Sequence, residues 1–429
     1  MNFQAVKGTR DFYPQEMRVR NWIVEAWRRV SLRNGFEEYD APIFEYLDLY
    51  TAKSGDEIVS QLFAFEDRGG RKLAIRPEMT PSLARMVNGR INSLPRPIKW
   101  FSVPRMCRAE NPQKGRLREF FQWNIDIIGS DDVAADAECI FVLADFFREV
   151  GLCGDDVVIR IGSRPLSVAA LQIAGVADAT IDKALPVLDK RPKVSLEEFR
   201  KLAADAGLTG EQTDFVIRFQ DCTDTEQVVE LLGGRADVVE QAAKLRTLME
   251  YARSMGVGEF CQLDMRMVRG LAYYTGIVYE GFDKGQSLRA CAGGGRYDNL
   301  LEVLGGPKVG ACGFGMGDVV VGILLEEKGK LPAHLSAAAL DFFVIDSGEG
   351  LLDTVMQVVG ALRGKGISAD FSYKRQNIGK QLKAANQRGA RLAAIVGPGG
   401  VAVKDLASGS QLAEVSLAEF LANPLGPRV

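Results

Sequence analysis

Apolar residues at Met17, Val19, Trp22, Ile23, Ala26, Trp27 and Val30 recur at helical intervals and predict an amphipathic helix over 15–33. Pro14 precedes it and Gly35 suits its C-terminal cap. Strand-like runs follow at 98–103, 119–128 and 156–161. From about 165 to 250 the chain is rich in Ala, Leu and charge, with helical patterning and few β-branched alternations, which reads as a helical insertion. Strand patterning returns at 260–282, and glycine dominates 293–317. The pattern breaks again near Glu326-Glu327-Lys328-Gly329-Lys330-Leu331-Pro332, a linker spanning 326–338. Beyond it come a strand at 341–346, a helix at 350–364 and a strand at 367–373. A helix capped by Asn377 then runs to Gln387, and a strand follows at 392–397. The alternation is that of a small β-α-β-α-β module.

One segment alternates with a period of two. Phe121, Trp123, Ile125 and Ile127 point one way, and Gln122, Asn124 and Asp126 the other. The first set is core, and the second faces either solvent or a ligand. Upstream, a strand-like run reaches Glu110, and the loop Asn111-Pro112-Gln113-Lys114-Gly115 turns the chain back, so the whole reads as a hairpin with a long basic tip. Arg108, Arg116 and Arg118 crowd it, and guanidinium groups at this density suit polyphosphate charge. In Arg76-Pro77-Glu78-Met79-Thr80-Pro81 two prolines hold a carboxylate, either as a plain turn or as an acceptor for an ammonium group. In Val268-Arg269-Gly270-Leu271-Ala272-Tyr273-Tyr274-Thr275-Gly276 the two tyrosines are expected on opposite faces of a strand. The run Ala292-Gly293-Gly294-Gly295-Arg296-Tyr297-Asp298 permits close approach of a ligand or a neighbouring strand. It has neither the spacing of a phosphate-binding Gly-x-x-x-x-Gly-Lys-Ser/Thr loop nor that of a dinucleotide fingerprint.

Composition narrows the chemistry. The 429 residues contain a single histidine, His334. Catalysis by Ser-His-Asp or Cys-His pairs and by histidine-bound metals is therefore nearly excluded, and Arg, Glu, Asp, Gln and Tyr must carry any reaction. The seven cysteines are scattered with no Cys-x-x-Cys pair, which fits reduced thiols of the cytoplasm. No apolar core opens the sequence at Met1-Asn2-Phe3-Gln4-Ala5-Val6-Lys7, and no run is long enough to span a membrane. The net charge of −3 gives no global pull toward nucleic acid. Locally the balance reverses: between Arg363 and Arg391 eight basic residues face Asp370 alone. That cluster is either a solvated helix face or a contact surface for a phosphate backbone.

In this order and spacing the motifs resemble those of the histidyl-tRNA synthetases, a family of class II aminoacyl-tRNA synthetases. The resemblance covers nearly the whole chain, from Lys7-Gly8-Thr9-Arg10-Asp11 to the terminal module. Gly35-Phe36 through Ala41-Pro42-Ile43-Phe44-Glu45 resembles motif 1, and Arg108-Ala109-Glu110 with Arg116 to Gln122 resembles motif 2. Arg269 to Gly276 and Gly294-Gly295-Arg296-Tyr297-Asp298 resemble the histidine-specific motifs.

The resemblance implies an α+β catalytic domain over 1–325, an antiparallel sheet flanked by helices with the helical insertion, and an α/β anticodon-binding domain over 339–429. It implies activation of L-histidine by ATP with Mg²⁺, no tightly bound cofactor and no protein metal site, transfer to tRNA(His), and a homodimer built through motif 1. Arg108 and Arg269 would hold the α-phosphate and Arg116 the γ-phosphate, while Glu110 would accept from the adenine amino group. Glu78, Thr80 and Gln122 would hold the α-ammonium. Asp126 and Tyr274 would bracket the imidazole nitrogens, with Tyr273 and Tyr297 completing the histidine pocket. Lys374, Arg375, Lys380 and Lys383 would meet tRNA.

Four positions depart from the family pattern. Motif 3 commonly ends Gly-Leu-Glu-Arg, and here it reads Gly317-Asp318-Val319-Val320, so Val320 stands in the arginine's place. Ala272 replaces a usual Asp, Phe121 a frequent His, and Asp126 a frequent Glu. The Ala272 and Asp318 variants resemble an organellar-like branch of the family. Two alternatives use the same scaffold without aminoacylation: a regulatory subunit of ATP phosphoribosyltransferase, and a sensor of uncharged tRNA.

Overall fold

The computed structural model describes residues 3–51, 61–269, 273–285, 287–336, 340–374 and 376–424. Contacts divide the chain into two compact units, one holding Val19–Lys330 with the first residues of the chain, the other Leu331–Val429 with Tyr13–Arg18.

In the first unit β1 (Glu37–Glu38) is followed by a three-stranded sheet of β2 (Phe44–Tyr46), β3 (Phe63–Glu66) and β4 (Lys72–Ile75), ordered β2-β4-β3. Then come β5 (Ile98–Ser102), β6 (Arg105–Cys107), β7 (Glu119–Ile128), β8 (Val157–Ser163), β9 (Cys261–Leu263), β10 (Ile277–Asp283), β11 (Ala292–Arg296) and β12 (Ala311–Gly317). With β1 they form a nine-stranded sheet in the order β1-β5-β7-β12-β11-β10-β8-β9, with β6 paired to β7. Pairing is antiparallel except at the two edges, β1 with β5 and β8 with β9.

The apolar face of β7 meets the helix Pro14–Arg33 and the helix Val133–Glu149. Trp123 stacks on Trp27 with centroids 6.0 Å apart, and it packs against Phe146 at 5.6 Å and Phe314 at 5.0 Å. Its indole N–H donates to the Ser31 hydroxyl at 2.9 Å, so the buried donor is not lost. The fully buried Trp27 and Trp123 make this contact the centre of the sheet's covered side.

The other face of the sheet stays open because of the β12 register. Gly313 lies opposite Asp126, Gly315 opposite Asn124 and Gly317 opposite Gln122. Paired residues of antiparallel strands share a face, so the polar row of β7 runs beside a row of glycines. Side chains at those glycines would fill the space. A Cβ on Gly313 would sit 2.7 Å from Asp126 Oδ1, and one on Gly315 would sit 2.7 Å from Gln122 Nε2.

Six helices between Arg164 and Ser254 occupy the stretch expected to be helical. Two expectations fail locally. The first hairpin arm ends at Cys107 rather than Glu110: the Arg108 N–H still donates to Arg118 O at 2.8 Å, but the return bond is missing because the Arg118 N–H donates instead to Gly8 O at 2.8 Å. The run 260–282 is broken after Leu263, where the Asp264 carboxylate takes the Arg266 backbone N–H at 3.0 Å and its guanidinium at 2.7 Å, closing a turn. Tyr273 and Tyr274 therefore precede β10 instead of lying on opposite faces of a strand. Their rings adjoin, with centroids 5.1 Å apart.

The second unit is a four-stranded sheet of β13 (Leu340–Asp346), β14 (Ala369–Phe371), β15 (Ala390–Val396) and β16 (Val401–Asp405), ordered β14-β13-β15-β16. The first three strands are parallel and β16 closes the edge antiparallel. The helices Leu352–Gly364 and Ile378–Gln387 connect them, and Asn377 caps the second by accepting from Lys380 N–H. The strand β16 and the helix Leu417–Ala422 have no counterpart in the sequence reading.

Candidate active site

A cavity of ≈300 Å³ opens over the glycine-paved face of the first unit. All the side chains singled out for catalysis, ATP and histidine line it: Glu78, Thr80, Arg108, Glu110, Arg116, Gln122, Asp126, Arg269, Tyr273, Tyr274 and Tyr297. The row Gln122, Asn124 and Asp126 thus faces this cavity, the ligand-facing alternative of the two the sequence allows.

Each side chain is held by a local device. Arg76 is buried and donates to Arg105 O at 3.0 Å and to the Asp40 carboxylate at 2.8 Å, fixing the Pro77–Glu78 turn against β6. Glu78 sits just before the helix Thr80–Asn88. Tyr273 donates its hydroxyl to Glu78 Oε2 at 3.0 Å. Arg116 pairs with Glu110 at 2.8 Å, and Arg118 donates its backbone N–H to Gly8 O at 2.8 Å, so the N-terminal segment braces the basic loop. A side chain on Gly8 would strike Pro112 at 2.7 Å. Arg269 has φ +60, an uncommon value outside glycine, and its guanidinium pairs with Glu280 at 2.5 Å. It packs against Gly293, where a Cβ would fall 1.7 Å from Nη1.

The electrostatics are those of an unfilled site. Burial pushes the Glu78 carboxyl above the usual range, while Arg108, the Tyr273 hydroxyl and Arg269 pull it back. Burial raises Asp126 to about 7, opposed by the hydrogen bond it accepts from Tyr297. Three carboxylate oxygens around the cavity are buried with no partner: Glu78 Oε1, Glu110 Oε1 and Asp126 Oδ2. Leaving a buried acceptor unmade costs on the order of 1–3 kcal/mol, and more for a charged one. Three together mean that this surface is shaped for donors it does not itself contain. Among the described residues no three His, Cys, Asp or Glu side chains gather as a metal site.

The departures from the family pattern have structural partners. Asp318 is buried and accepts from Phe121 N–H at 2.9 Å and from Arg10 at 2.6 Å, tying the start of β7 to the N-terminal segment. The Phe121 ring meets the Arg20 and Arg105 guanidiniums, 4.6 and 4.9 Å from its centroid. Val320 lines the cavity as an apolar wall. Ala272 lies outside the described residues.

In the second unit Lys374, Lys380 and Lys383 are exposed, and Arg375 lies outside the described residues. Other members of the basic cluster serve the fold: Arg363 donates to Ala369 O at 2.9 Å and Arg388 pairs with Asp370 at 2.6 Å. Two residues escaped the sequence reading. Tyr373, 82% exposed, presents an aromatic ring beside Lys374. Arg289 lines the cavity from the segment before β11, and its only signal in the sequence is a lone arginine ahead of the glycine run.

Known proteins agree with this architecture. A family profile described as histidyl-tRNA synthetase matches residues 8–317, and one described as an anticodon binding domain matches 341–423. A histidine--tRNA ligase of Opitutus terrae is 41% identical over 92% of this chain and 91% of its own length. A chloroplastic/mitochondrial histidine--tRNA ligase of Arabidopsis thaliana is 38% identical over 96% of this chain and 85% of its own. The crystal structure of histidyl-tRNA synthetase from Nostoc sp. PCC 7120 superposes with a TM-score of 0.82 at 25% identity, covering 99% of this chain and 100% of that one. Sheet, cavity, terminal module and relatives converge: the chain belongs to the histidyl-tRNA synthetase family of class II aminoacyl-tRNA synthetases.

Proposed function

We propose that this chain joins L-histidine to ATP, giving histidyl-adenylate and pyrophosphate, and then transfers the histidyl group to the terminal ribose of tRNA(His). The observation that carries the reading is the set of unpartnered oxygens on Glu78, Glu110 and Asp126 in one arginine-rich cavity. The two substrates bring matching donors: the α-ammonium, the adenine amino group and an imidazole N–H. Glu78, with Thr80 and Gln122, takes the ammonium, Glu110 the adenine, and Asp126 with Tyr274 the imidazole, while Tyr273 and Tyr297 orient the first and last carboxylates. A pocket that pairs both imidazole nitrogens rejects side chains lacking them by roughly 10⁴–10⁵-fold.

The histidine carboxylate attacks the α-phosphorus in line. It is ionised already, so no base is needed, and a cavity without a histidine side chain suffices. Arg108 and Arg269 offset charge at the α-phosphate and Arg116 at the γ-phosphate, so rate comes from positioning and preorganised charge. Magnesium enters with the phosphates as part of the substrate. Exposed Lys374, Lys380 and Lys383, with Tyr373, support a tRNA contact on the second unit. Phe44, Tyr46 and Phe65 on the β2-β4-β3 sheet, and Ile43 just before it, stand exposed, which supports a homodimer through motif 1. No helix among the described residues is long and apolar enough to cross a membrane. The cytoplasm, where tRNA is charged, is the proposed location.

The test is histidine-dependent ATP–pyrophosphate exchange, with Arg269→Ala as control. Exchange that requires histidine and collapses in the variant is expected. A folded chain that binds ATP but never exchanges would refute the reading in favour of a regulatory subunit or an uncharged-tRNA sensor.

A further inference from the structure

Arg289 sits at the rim of the cavity, exposed to solvent, in none of the motifs of the family pattern. The other arginines of the cavity are engaged. Arg116 pairs with Glu110 at 2.8 Å, Arg269 with Glu280 at 2.5 Å, and Arg108 donates to Pro77 O at 2.8 Å. Arg289 makes no hydrogen bond or ion pair among the described residues. Desolvation lowers the pKa of its guanidinium, and Arg116 and Arg108 lower it further. The carboxylates acting the other way are Glu110 and Glu280, and both are committed to other arginines. A cation left among cations lacks a polyanion.

Its location adds a second argument. A Cβ built on Gly115 would lie 3.2 Å from Val320 Cγ2 and 3.5 Å from both Cγ and Cδ of Arg289. The Val320 side chain and the Arg289 stem therefore both border Gly115 of the basic loop on the cavity wall. Position 320 is where the motif 3 pattern places an arginine, and valine supplies no charge there. Gly115 has φ +75, a conformation that residues with a side chain rarely adopt, and a Cβ there would press on Val320 Cγ2 while making ordinary contact with the Arg289 stem.

We propose that Arg289 is a nucleotide-binding residue that contacts the triphosphate of ATP, and the pyrophosphate formed from it, supplying from the approach to β11 the cation that position 320 lacks. This rests on reading the cavity as the ATP site. The experiment measures ATP–pyrophosphate exchange by the full chain and by its Arg289→Ala and Arg289→Lys variants, with folding checked by thermal unfolding. Arg289→Ala should raise KM for ATP and for pyrophosphate about ten- to a hundredfold, the worth of a charge-assisted hydrogen bond. Arg289→Lys should recover part of that loss. KM for histidine and inhibition by adenosine, which carries no phosphate, should stay within about twofold. Unaltered KM values for ATP and pyrophosphate in Arg289→Ala would overturn the assignment, as would an equal rise in KM for histidine, the mark of a merely structural arginine. Failure of the unaltered chain to exchange would instead overturn the function itself, so the two failures are told apart.

Discussion

Replacing Asp126 by Asn should stabilise the protein at alkaline pH while damaging its chemistry. In the folded chain burial holds the Asp126 carboxyl at about 7, against 3.8 for the free group. The unfolded chain therefore gives up this proton first, and between those two values the native state binds more protons. Stability contributed at this site falls as pH rises through that window, and the full cost is present above the folded value. Three units at about 1.4 kcal/mol each make that cost about 4 kcal/mol. At about pH 5 somewhat more than one unit has been spent, so between about pH 5 and pH 8 the advantage of the variant should grow by about 2–3 kcal/mol. Asn keeps an acceptor for the Tyr297 hydroxyl, and its amide takes the place of the unpartnered Oδ2. Any penalty from that amide is the same at both pH values and cancels in the difference, as do the titrations of all other groups. Urea unfolding of both proteins at the two pH values measures the quantity directly, while histidine-dependent exchange should drop in the variant. A stability difference independent of pH would refute the argument, because it would mean that Asp126 titrates alike in folded and unfolded chains.

Gly293→Ala should abolish exchange in a folded protein, since the new methyl falls 1.7 Å from Arg269 Nη1 and must displace that guanidinium; circular dichroism and exchange together check it. Lys380→Glu combined with Lys383→Glu should weaken tRNA binding and flatten its salt dependence by about two ions, leaving exchange untouched; filter binding across salt concentrations reads it. Phe44→Asp should turn the proposed dimer into a monomer, because a charge enters the exposed aromatic pair of Phe44 and Phe65, whose centroids lie 6.2 Å apart; light scattering reports the mass.

How much of this was legible in the sequence depends on the range of the interaction. The period-two alternation of β7 was visible because a strand between a core and a cavity alternates by geometry. The Asn377 cap was visible because it is a contact of three residues. The hairpin arm ending at Cys107 was not, since the rung that is missing there is taken by Gly8, far from Arg118 along the chain. Tyr273 and Tyr274 misread for the same reason: two adjacent aromatics look like strand residues, but the chain enters β10 only at Ile277. The strand β16 pairs an edge that only the assembled sheet presents. Within the site, the polar groups were identifiable by type, yet Gly313, Gly315 and Gly317 were read only as part of a glycine-dominated stretch. Their function as a paved floor depends on the register that sets Gly313 against Asp126 and Gly315 against Asn124.

The departures from the family pattern carry the same lesson about charge. Read one position at a time, Val320 removes a cation from the nucleotide and Asp318 adds an anion near it. In the structure Asp318 is spent on Arg10 and on the Phe121 N–H, and burial raises its pKa against the pull of Arg10, so it is a brace rather than a free charge facing ATP. The brace holds the backbone of Phe121, whose ring has the Arg20 and Arg105 guanidiniums 4.6 and 4.9 Å from its centroid. Val320 and the stem of Arg289 both border Gly115, and the Arg289 guanidinium makes no hydrogen bond or ion pair among the described residues. With Arg289 assigned as proposed, the cation that position 320 lacks comes from another point along the sequence. A motif tests only the order of residues along the chain, while ATP would encounter only their arrangement in the cavity.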